Sequence, residues 1–593
     1  MISLLVFTIA VPFILSIFAL LTKKNAAVIA LAAGLIDLAI AINVFFSKEF
    51  GLSLFSLHSY TLSAGTFLAA SFLTTMVILY SIKFMEKHER LNEYYCYILL
   101  TLGATAGALF SNDFLTLMLF WGMLGATLYL LIGMGGPGSA AAAKKSFIIV
   151  GGADALMILG IGIILIFTRN LQIGIMQIQF IGPIPYIAYF CLAIGALAKS
   201  GAVPLHTWIP DSAEKAPVPV MAFLPASLDK LLGIYLLARL SLDVFEITPG
   251  STISTLLLLL GSITIIVAVM AALVQHNLKK LLSFHAVSQV GYMLLGIGTA
   301  LPIGIAGGLL HMLNNAIYKC CLFLSAGAVE KKAKTTELDK LGGLGRLMPI
   351  TFISALIASL SISGMPPFNG FVSKWLIYQS LVELGSSSSL WVIWLAAAMF
   401  GSALTLASFI KVIHAVFLGQ WTSDRHNVSE VSWQMWLPMA ILASLCLLFG
   451  IFAMQTTLGL FIIPSVPLFL FSGFFDPVLA ALLLITGLVI GALIYLASGR
   501  KLVSKPAYIG GESIPEDDLK VPATDFYNTI RQWNFLGRTY RLAENNAMDL
   551  YSMCRRSAYR LSDAASLMHN GLLHTYIAWM FLGAILILMV LVF

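Results

Sequence analysis

Sixteen apolar stretches, each long enough to cross a lipid bilayer, run along the chain. They lie near 2–21, 27–46, 64–82, 95–110, 114–133, 147–168, 184–203, 219–238, 253–275, 281–299, 303–327, 349–373, 389–418, 434–455, 476–497 and 573–592. A hydrocarbon core about 30 Å thick is crossed by about 20 helical residues. Only helices or closed barrels satisfy their backbone polar groups there, so stretches of this length predict helices. Hydrophobic residues make up 59% of the 593, and charged residues 10%. A soluble domain carries about 25% charged residues. A water-soluble protein, a disordered chain, a collagen and a coiled coil are excluded together. The expected fold is an all-α polytopic membrane protein of about 16 transmembrane helices.

Basic residues set the expected orientation. With the amino terminus outside, inward loops hold 26 Lys and Arg, and outward loops hold only Lys48, Arg169 and Arg239. That asymmetry follows the positive-inside rule. It places both termini outside, and the polar segment 498–572 on the cytoplasmic side of a prokaryotic cytoplasmic (inner) membrane. The net charge of +7 is read as topology, not as nucleic-acid binding. The opening MISLLVFTIAVPFILSIFALL lacks a basic n-region and a small-residue cleavage site, so it is expected to be the first span and not a signal peptide.

The six cysteines form no CxxC pair, which excludes the common iron–sulfur, zinc and haem attachment patterns. GMGGPG at 133–138 fits GxGxxG in letters only, because no strand precedes it. There is no P-loop. No cofactor or metal is expected in this chain, and any redox chemistry belongs to partners.

Five lysines remain at membrane depth: Lys199, Lys230, Lys319, Lys374 and Lys411. Asp113, Asp154, Asp229, His285, His311 and His414 lie in spans or at their edges. Each charge at the bilayer centre costs about 2.5–3.5 kcal/mol on insertion scales. Lys411 and His414 sit near a span end and can snorkel. Asp113 opens a span and can cap it. Asp37 has no partner evident in the sequence. For any one interior lysine the bland reading is a buried ion pair locking two helices; for the set, a proton or cation path is the better reading. Taking an amine out of water disfavours its charged form, and brings its protonation within reach of a neighbour's charge.

Two lysines coincide with helix breakers. Lys199 precedes Gly201 and Pro204; Lys374 follows Gly364, Pro366, Pro367 and Gly370. Broken backbone at membrane depth survives only inside protein or beside water. Two such interruptions, five spans apart, predict two inverted five-helix repeats, spans 4–8 and 9–13, broken at the seventh and twelfth. The expected organisation is 1–93 for spans 1–3, 94–240 and 253–418 for the repeats, 434–497 for spans 14–15, 498–572 for a cytoplasmic-side amphipathic segment, and 573–593 for the last span. Residues 523–570, rich in Arg and aromatics, are expected to form a helix along the inner surface, continuous or broken near Gly537.

At this level of detail the residues resemble a known family. GALAKSGAVPLHTWIPDSAEKAPVPV (195–220), HNLKKLLSFHAVSQVGYM (276–293), HMLNNAIYKCCLFLSAGAV (311–329) and SISGMPPFNGFVSKW (361–375) resemble signatures of the antiporter-like subunits of respiratory complex I. Multisubunit cation/proton antiporters and membrane-bound, energy-converting hydrogenases share them. The length and the late cytoplasmic segment resemble the large sixteen-helix type, with a lateral helix before the last span.

The resemblance implies a proton- or Na⁺-translocating subunit without a redox centre of its own. Iron–sulfur clusters, nickel–iron or flavin would sit on a soluble redox arm, and other membrane subunits would be partners. It implies ion-translocation roles for Lys199, Asp154, Asp229, Lys230, His285, His311, Lys319 and Lys374. A secondary antiporter without redox coupling and a non-conducting structural subunit are the alternatives. Three positions depart from the family pattern: Gly122 replaces the usual fifth-helix glutamate, Pro225 lies where a histidine is usual, and Asn315 replaces a second histidine. Gly122 would deprive Lys199 of its usual carboxylate unless Asp154, Asp229 or a neighbouring subunit supplies one.

Overall fold

The computed structural model describes residues 2–22, 24–47, 50–52, 56–419, 428–466, 469–470, 477–497, 523–545, 547, 549–569 and 571–592. Several positions in the charge count fall outside these residues: Lys23, Lys48, Arg425, Arg500, Lys501, Lys505 and Lys520. So does the first part of the cytoplasmic-side segment, 498–522. The chain forms two units, Met1–Arg531 and Gln532–Phe593.

In the first unit, α1 (Ile2–Leu21) and α2 (Ala26–Phe46) lead to a short antiparallel hairpin. Its strands, β1 (Phe50–Leu52) and β2 (Leu57–Ser59), pair Phe50 with Ser59 and Leu52 with Leu57. Next come α3 (Thr61–Phe84), α4 (Leu91–Phe110), α5 (Phe114–Ile132) and α6 (Ser139–Thr168). Asp113 caps α5, accepting from Thr116 N at 2.8 Å, so the capping reading of that carboxylate holds. GMGGPG forms the turn between α5 and α6. A Cβ on Gly135 would lie 2.0 Å from Lys215 O, which accounts for glycine there.

The seventh span is broken. Helix α7 (Pro183–Ser200) ends at Gly201, which has φ +79°, and α8 (Trp208–Lys215) follows a turn. Trp208 Nε1 donates back to Ala198 O (3.1 Å), and Val203 N donates to Thr264 Oγ1 (3.3 Å). These bonds satisfy part of the backbone that the break frees. The eighth span is α9 (Val218–Phe223), a π-helical turn at Leu224–Leu228 and α10 (Asp229–Arg239). Pro225 sits in that turn, and such bulges cluster at functional sites.

Helices α11 (Thr252–Leu273), α12 (Leu278–Gly298) and α13 (Pro302–Ala333) follow. The twelfth span is broken like the seventh. Helix α14 (Pro349–Ser363) ends at Gly364, with φ +81°, and α15 (Asn369–Glu383) resumes. Asn314 Nδ2 donates to Asn369 O (2.8 Å), Asn369 Nδ2 donates to Asn314 Oδ1 (3.0 Å), and Ser361 Oγ donates to Asn369 Oδ1. Then come α16 (Trp391–Ile413), α17 (Trp433–Ile451), α18 (Ile463–Ser465) and α19 (Pro477–Ala497), and α20 begins at Asn528 (Asn528–Gln532).

Fourteen helices among the described residues are long and apolar enough to cross a membrane, against the sixteen spans expected. Both remaining stretches are helical. Helix α4 is buried over most of its length, so it is walled by protein and needs no lipid-facing surface. The twelfth span is divided into two 15-residue helices, each too short alone. At the heart of the bundle, an 18-residue window of each of the stretches 218–244 and 302–333 is fully buried.

The second unit contains α21 (Asn534–Glu544), α22 (Leu550–Met568) and α23 (Leu573–Val592). A continuous helix over 523–570 is not formed. Breaks fall at Trp533 and between Glu544 and Leu550, while Gly537 lies inside α21. Asp549 caps α22, accepting from Tyr551 N and Ser552 Oγ, and this restart replaces continuity.

Candidate functional site

Eight side chains singled out in the sequence form a buried series through the core. Lys199, Asp229, Lys230, His285, His311 and Lys319 are fully buried; Lys374 is 2% exposed and Asp154 7%. Lipid-facing snorkelling is therefore excluded for all of them.

At one end, Lys199 occupies the last turn of α7, where the helix's unpaired carbonyls favour a cation. Its Nζ lies 4.6 Å from the centre of the Trp121 ring. Trp121 Nε1 in turn donates to Asp154 Oδ1 at 2.9 Å. The indole thus stands between amine and carboxylate, and Lys199 acts electrostatically on both Asp154 and Asp229. Position 122 itself is exposed, with open space where a Cβ would be. A Cβ on Gly125 would lie 3.6 Å from Asp154 Oδ2. Asp154 on the sixth helix is thus a carboxylate bonded to Trp121, the neighbour of Gly122.

Asp229 and Lys230 follow the π-helical turn. Neither Asp229 oxygen, nor Lys230 Nζ, nor Lys199 Nζ has a hydrogen-bond partner among the described residues. Buried polar groups of this kind are normally satisfied, commonly by water. Lys230 Nζ would lie 3.3 Å from a Cβ on Gly201, the residue that ends α7.

Lys319 continues the series on α13. Its Nζ donates to Leu282 O at 2.9 Å and lies 5.7 Å from the Phe409 ring centre. The charges of Lys230 and Lys319 act on each other. His285 Nε2 is 2.7 Å from Ser408 Oγ, while its Nδ1 has no partner among the described residues. Lys319, Lys374 and Lys411 all act electrostatically on His285. His311 Nδ1 lies 2.8 Å from Ser373 Oγ, and its Nε2 lies 3.1 Å from Gln289 Oε1 and 3.3 Å from Tyr318 Oη.

At the other end, Lys374 Nζ donates to Ile362 O (2.9 Å) and Ser402 Oγ (3.0 Å), 4.5 Å from the Tyr292 ring centre. Ser402 Oγ also meets Tyr292 Oη at 2.9 Å and Tyr378 Oη at 2.6 Å. Ile362 is in the last turn of α14, so Lys374 caps the carbonyl end of a broken helix. Lys230 beside Gly201 and Lys374 beside Gly364 make the same arrangement twice: an ammonium at the left-handed glycine that ends a half-helix.

Three other charges fall outside the series. Lys411 Nζ donates to Leu273 O (2.7 Å) and Gln275 O (3.0 Å), which caps α11, and His414 is exposed. Asp37 accepts from Ser71 Oγ at 3.2 Å, a partner on the next helix. The sequence reading missed Trp121, Gln289, Ser373, Ser402, Ser408 and the tyrosines 292, 318 and 378. It also missed the Lys145–Asp211 ion pair (2.8 Å), which ties α6 to α8. Only Trp121 carried a signal, as the neighbour of Gly122.

A row of buried amines, carboxylates and imidazoles therefore runs past two broken helices. Residues 111–405 match the NADH:quinone oxidoreductase/Mrp antiporter transmembrane (TM) family. That match takes in both broken helices and most of the buried series.

The chain is 35% identical over 408 residues to Na⁺/H⁺ antiporter subunit A1 of Staphylococcus epidermidis, covering 64% of this chain and 50% of the relative. The Staphylococcus aureus subunit matches at 35% over 405 residues, with the same coverage. The chain thus spans about half the length of the curated relatives it matches. Among solved structures, a chain of the membrane-bound sulfane sulfur reductase, an archaeal respiratory membrane complex, superposes with a TM-score of 0.82 at 25% identity, covering 98% of this chain and 99% of that one. A chain of the Mrp complex from a Dietzia species gives 0.71 at 22% identity, covering 78% of this chain and 97% of that one. A chain of Thermus thermophilus respiratory complex I gives 0.67 at 19% identity, covering 78% and 98%. The last two share the fold. The chain is a multi-pass membrane protein.

Proposed function

We propose that this chain translocates protons or Na⁺ as the antiporter-like subunit of a redox-driven membrane complex. The observation that carries the reading is the buried series from Asp154 and Lys199, through Asp229, Lys230, Lys319, His285 and His311, to Lys374. Lys199 Nζ, both Asp229 carboxylate oxygens and Lys230 Nζ have no hydrogen-bond partner among the described residues. A packing role would pair them, because an unpaired buried charge destabilises by several kcal/mol. Charge shifted near Lys199 would act in turn on each neighbour, at about 1.4 kcal/mol per pH unit of displaced protonation.

Partner membrane subunits and a soluble arm carrying iron–sulfur, nickel–iron or flavin centres would supply the drive. The full-length likeness to a chain of an archaeal respiratory complex supports that assignment over a secondary antiporter. In this reading both termini face outward, the lysine-rich loops face the cytoplasm, and the repeats occupy 94–240 and 253–418. The carboxylate of Asp154 beside Lys199 favours conduction over a purely structural role.

The test is purification of the native assembly followed by reconstitution into sealed vesicles. Electron transfer by co-purified subunits is expected to acidify the lumen or accumulate ²²Na⁺. Vesicles that turn over their electron donor without either ion movement would refute the reading. Lys411→Met is expected to keep flux within about twofold yet lower stability by about 1.5–3 kcal/mol, the worth of charge-assisted hydrogen bonds; paired flux and thermal-melting measurements read both.

A further inference from the structure

We propose that the exposed flank of α5 and α6 seats a transmembrane helix of a partner membrane subunit, and that this helix brings a hydrogen-bond donor to Asp154. The inference rests on the multisubunit part of the reading above. It adds the face and the chemistry by which one partner completes the Lys199 end of the series.

Two exposed stripes make the flank. On α5, the exposed residues Leu119, Gly122, Ala126 and Tyr129 recur at steps of three and four, so they share a face. On α6, Ile148, Gly152, Ala155 and Leu159 do the same. The rings of Tyr129 and Phe147 meet at 5.6 Å, so the two stripes adjoin. Bulky side chains stand at the ends of each stripe and small ones at its middle. Gly122 and Gly152 have nothing within 4 Å of where a Cβ would be. The middle of the flank is therefore a trough floored by backbone, and membrane helices approach one another most closely over small residues of this kind.

Small residues alone would mean only that something can pack there. The second observation is the carboxylate beneath them. Asp154 is the sixteenth of the 30 residues of α6, so it lies about 20 Å from either end of that helix. Its Oδ1 accepts from Trp121 Nε1 at 2.9 Å, while its Oδ2 accepts no hydrogen bond from the described residues. A Cβ on Gly125 would lie 3.6 Å from Oδ2 and would meet nothing else within 4 Å. Asp154 is 93% buried, and its remaining 7% is open. Glycine thus leaves a bare carboxylate oxygen beside the trough at mid-depth.

This chain does not supply the missing donor. Lys199 is separated from Asp154 by the Trp121 indole. Neither α5 nor residues 146–168 of α6 contains a lysine or arginine. Lipid tails cannot donate, and a carboxylate facing them at this depth is costly. The donor therefore comes from another chain, and a helix is what can carry it there with its own backbone satisfied. A basic or hydroxyl side chain fits, projecting from a helix seated over Gly122 and Gly152. Its position opposite Trp121 also gives the partner a direct hold on the charge that Lys199 feels.

The test uses the complete purified complex in vesicles. A leucine analogue bearing a diazirine is placed at position 119, where it keeps the native size. On illumination it inserts into whatever touches the trough, and adducts are read by mass. The expected product joins this chain to another membrane subunit, at a helix with a basic or hydroxyl side chain within one turn of the attachment point. Gly152→Leu, which fills the trough, is expected to lower the adduct yield at least tenfold. Gly487→Leu, at an equally open position on α19, is expected to leave it unchanged. Replacing the partner's donor by leucine is expected to slow ion flux at least fivefold. Adducts to lipid alone, in vesicles that retain their membrane subunits and still move ions, overturn the proposal and leave the translocation reading standing. An adduct to a helix with no donor within one turn also overturns it. If Gly152→Leu does not assemble, the adduct at position 119 decides alone. Vesicles without flux that still give the expected adduct remove the translocation reading and keep the seat, so the two fail separately.

Discussion

Asp154→Asn is expected to cut ion flux by more than about tenfold in reconstituted complexes, with the subunit still folded and assembled. The substitution keeps size and shape, and an amide oxygen can still accept from Trp121 Nε1, as the carboxylate does at 2.9 Å. What it removes is one negative charge across an indole from Lys199, whose ammonium lies 4.6 Å from that ring's centre. Leaving one member of a buried charge pair unmatched costs about 3–5 kcal/mol, and about 1.4 kcal/mol already changes an equilibrium tenfold. Asp229 also feels the Lys199 charge but accepts no hydrogen bond from Trp121. Asp229→Asn is therefore expected to impair flux without mimicking the loss at Asp154. Initial rates of lumen acidification, normalised to assembled complex, provide the measurement. Equal, near-wild-type rates for both variants would mean that the Lys199 end of the series needs no carboxylate in this chain.

The Asp154 assignment also shows where sequence reading stops. Buried charge is conspicuous in an apolar span because each one carries an insertion cost of a few kcal/mol, so Lys199, Lys230, Lys319 and Lys374 stand out unaided. Breaks are equally legible, since proline and left-handed glycine change backbone geometry wherever they occur. Gly201 and Gly364 end their half-helices where the residue pattern placed the interruptions. Pairing is another matter. Trp121 and Asp154 are 33 residues apart and meet only because α5 packs on α6. Asp37 finds Ser71 across a similar separation.

Hydroxyls were the least legible class. Serine and threonine are common in membrane helices and back-bond to their own carbonyls at little cost. Ser71, Ser402 and Ser408 therefore carried no signal that separated them from Thr66, which donates to Leu62 O in its own helix. The same limit explains the one mistaken detail in the fold. Arg and aromatic spacing over 523–570 measured amphipathicity, whereas the helix restart at Asp549 is a capping event decided by one side chain.

Lys374→Arg is expected to abolish transport, by more than about a hundredfold, because guanidinium does not deprotonate in proteins. The substitution discriminates where alanine would not. Lys374 caps the broken end of α14 through Ile362 O and bonds Ser402, so alanine would remove a structural contact together with the titrating group. Arginine preserves the positive charge and the capacity to donate to both oxygens. If holding α14 were the whole task of this side chain, flux would survive the exchange. If the amine must release its proton into the Ser402–Tyr292–Tyr378 cluster on each cycle, a permanently charged group there stops the series at its last member and holds His311 and His285 under a fixed positive field. Lys411 provides the internal control. It too caps a helix with two carbonyl bonds; its charge reaches His285, but it hydrogen-bonds no member of the series and keeps its charge as arginine, so Lys411→Arg is expected to transport at close to the wild-type rate. Equal loss in the two variants would trace the effect to the bulk of arginine; loss at 374 alone traces it to the proton.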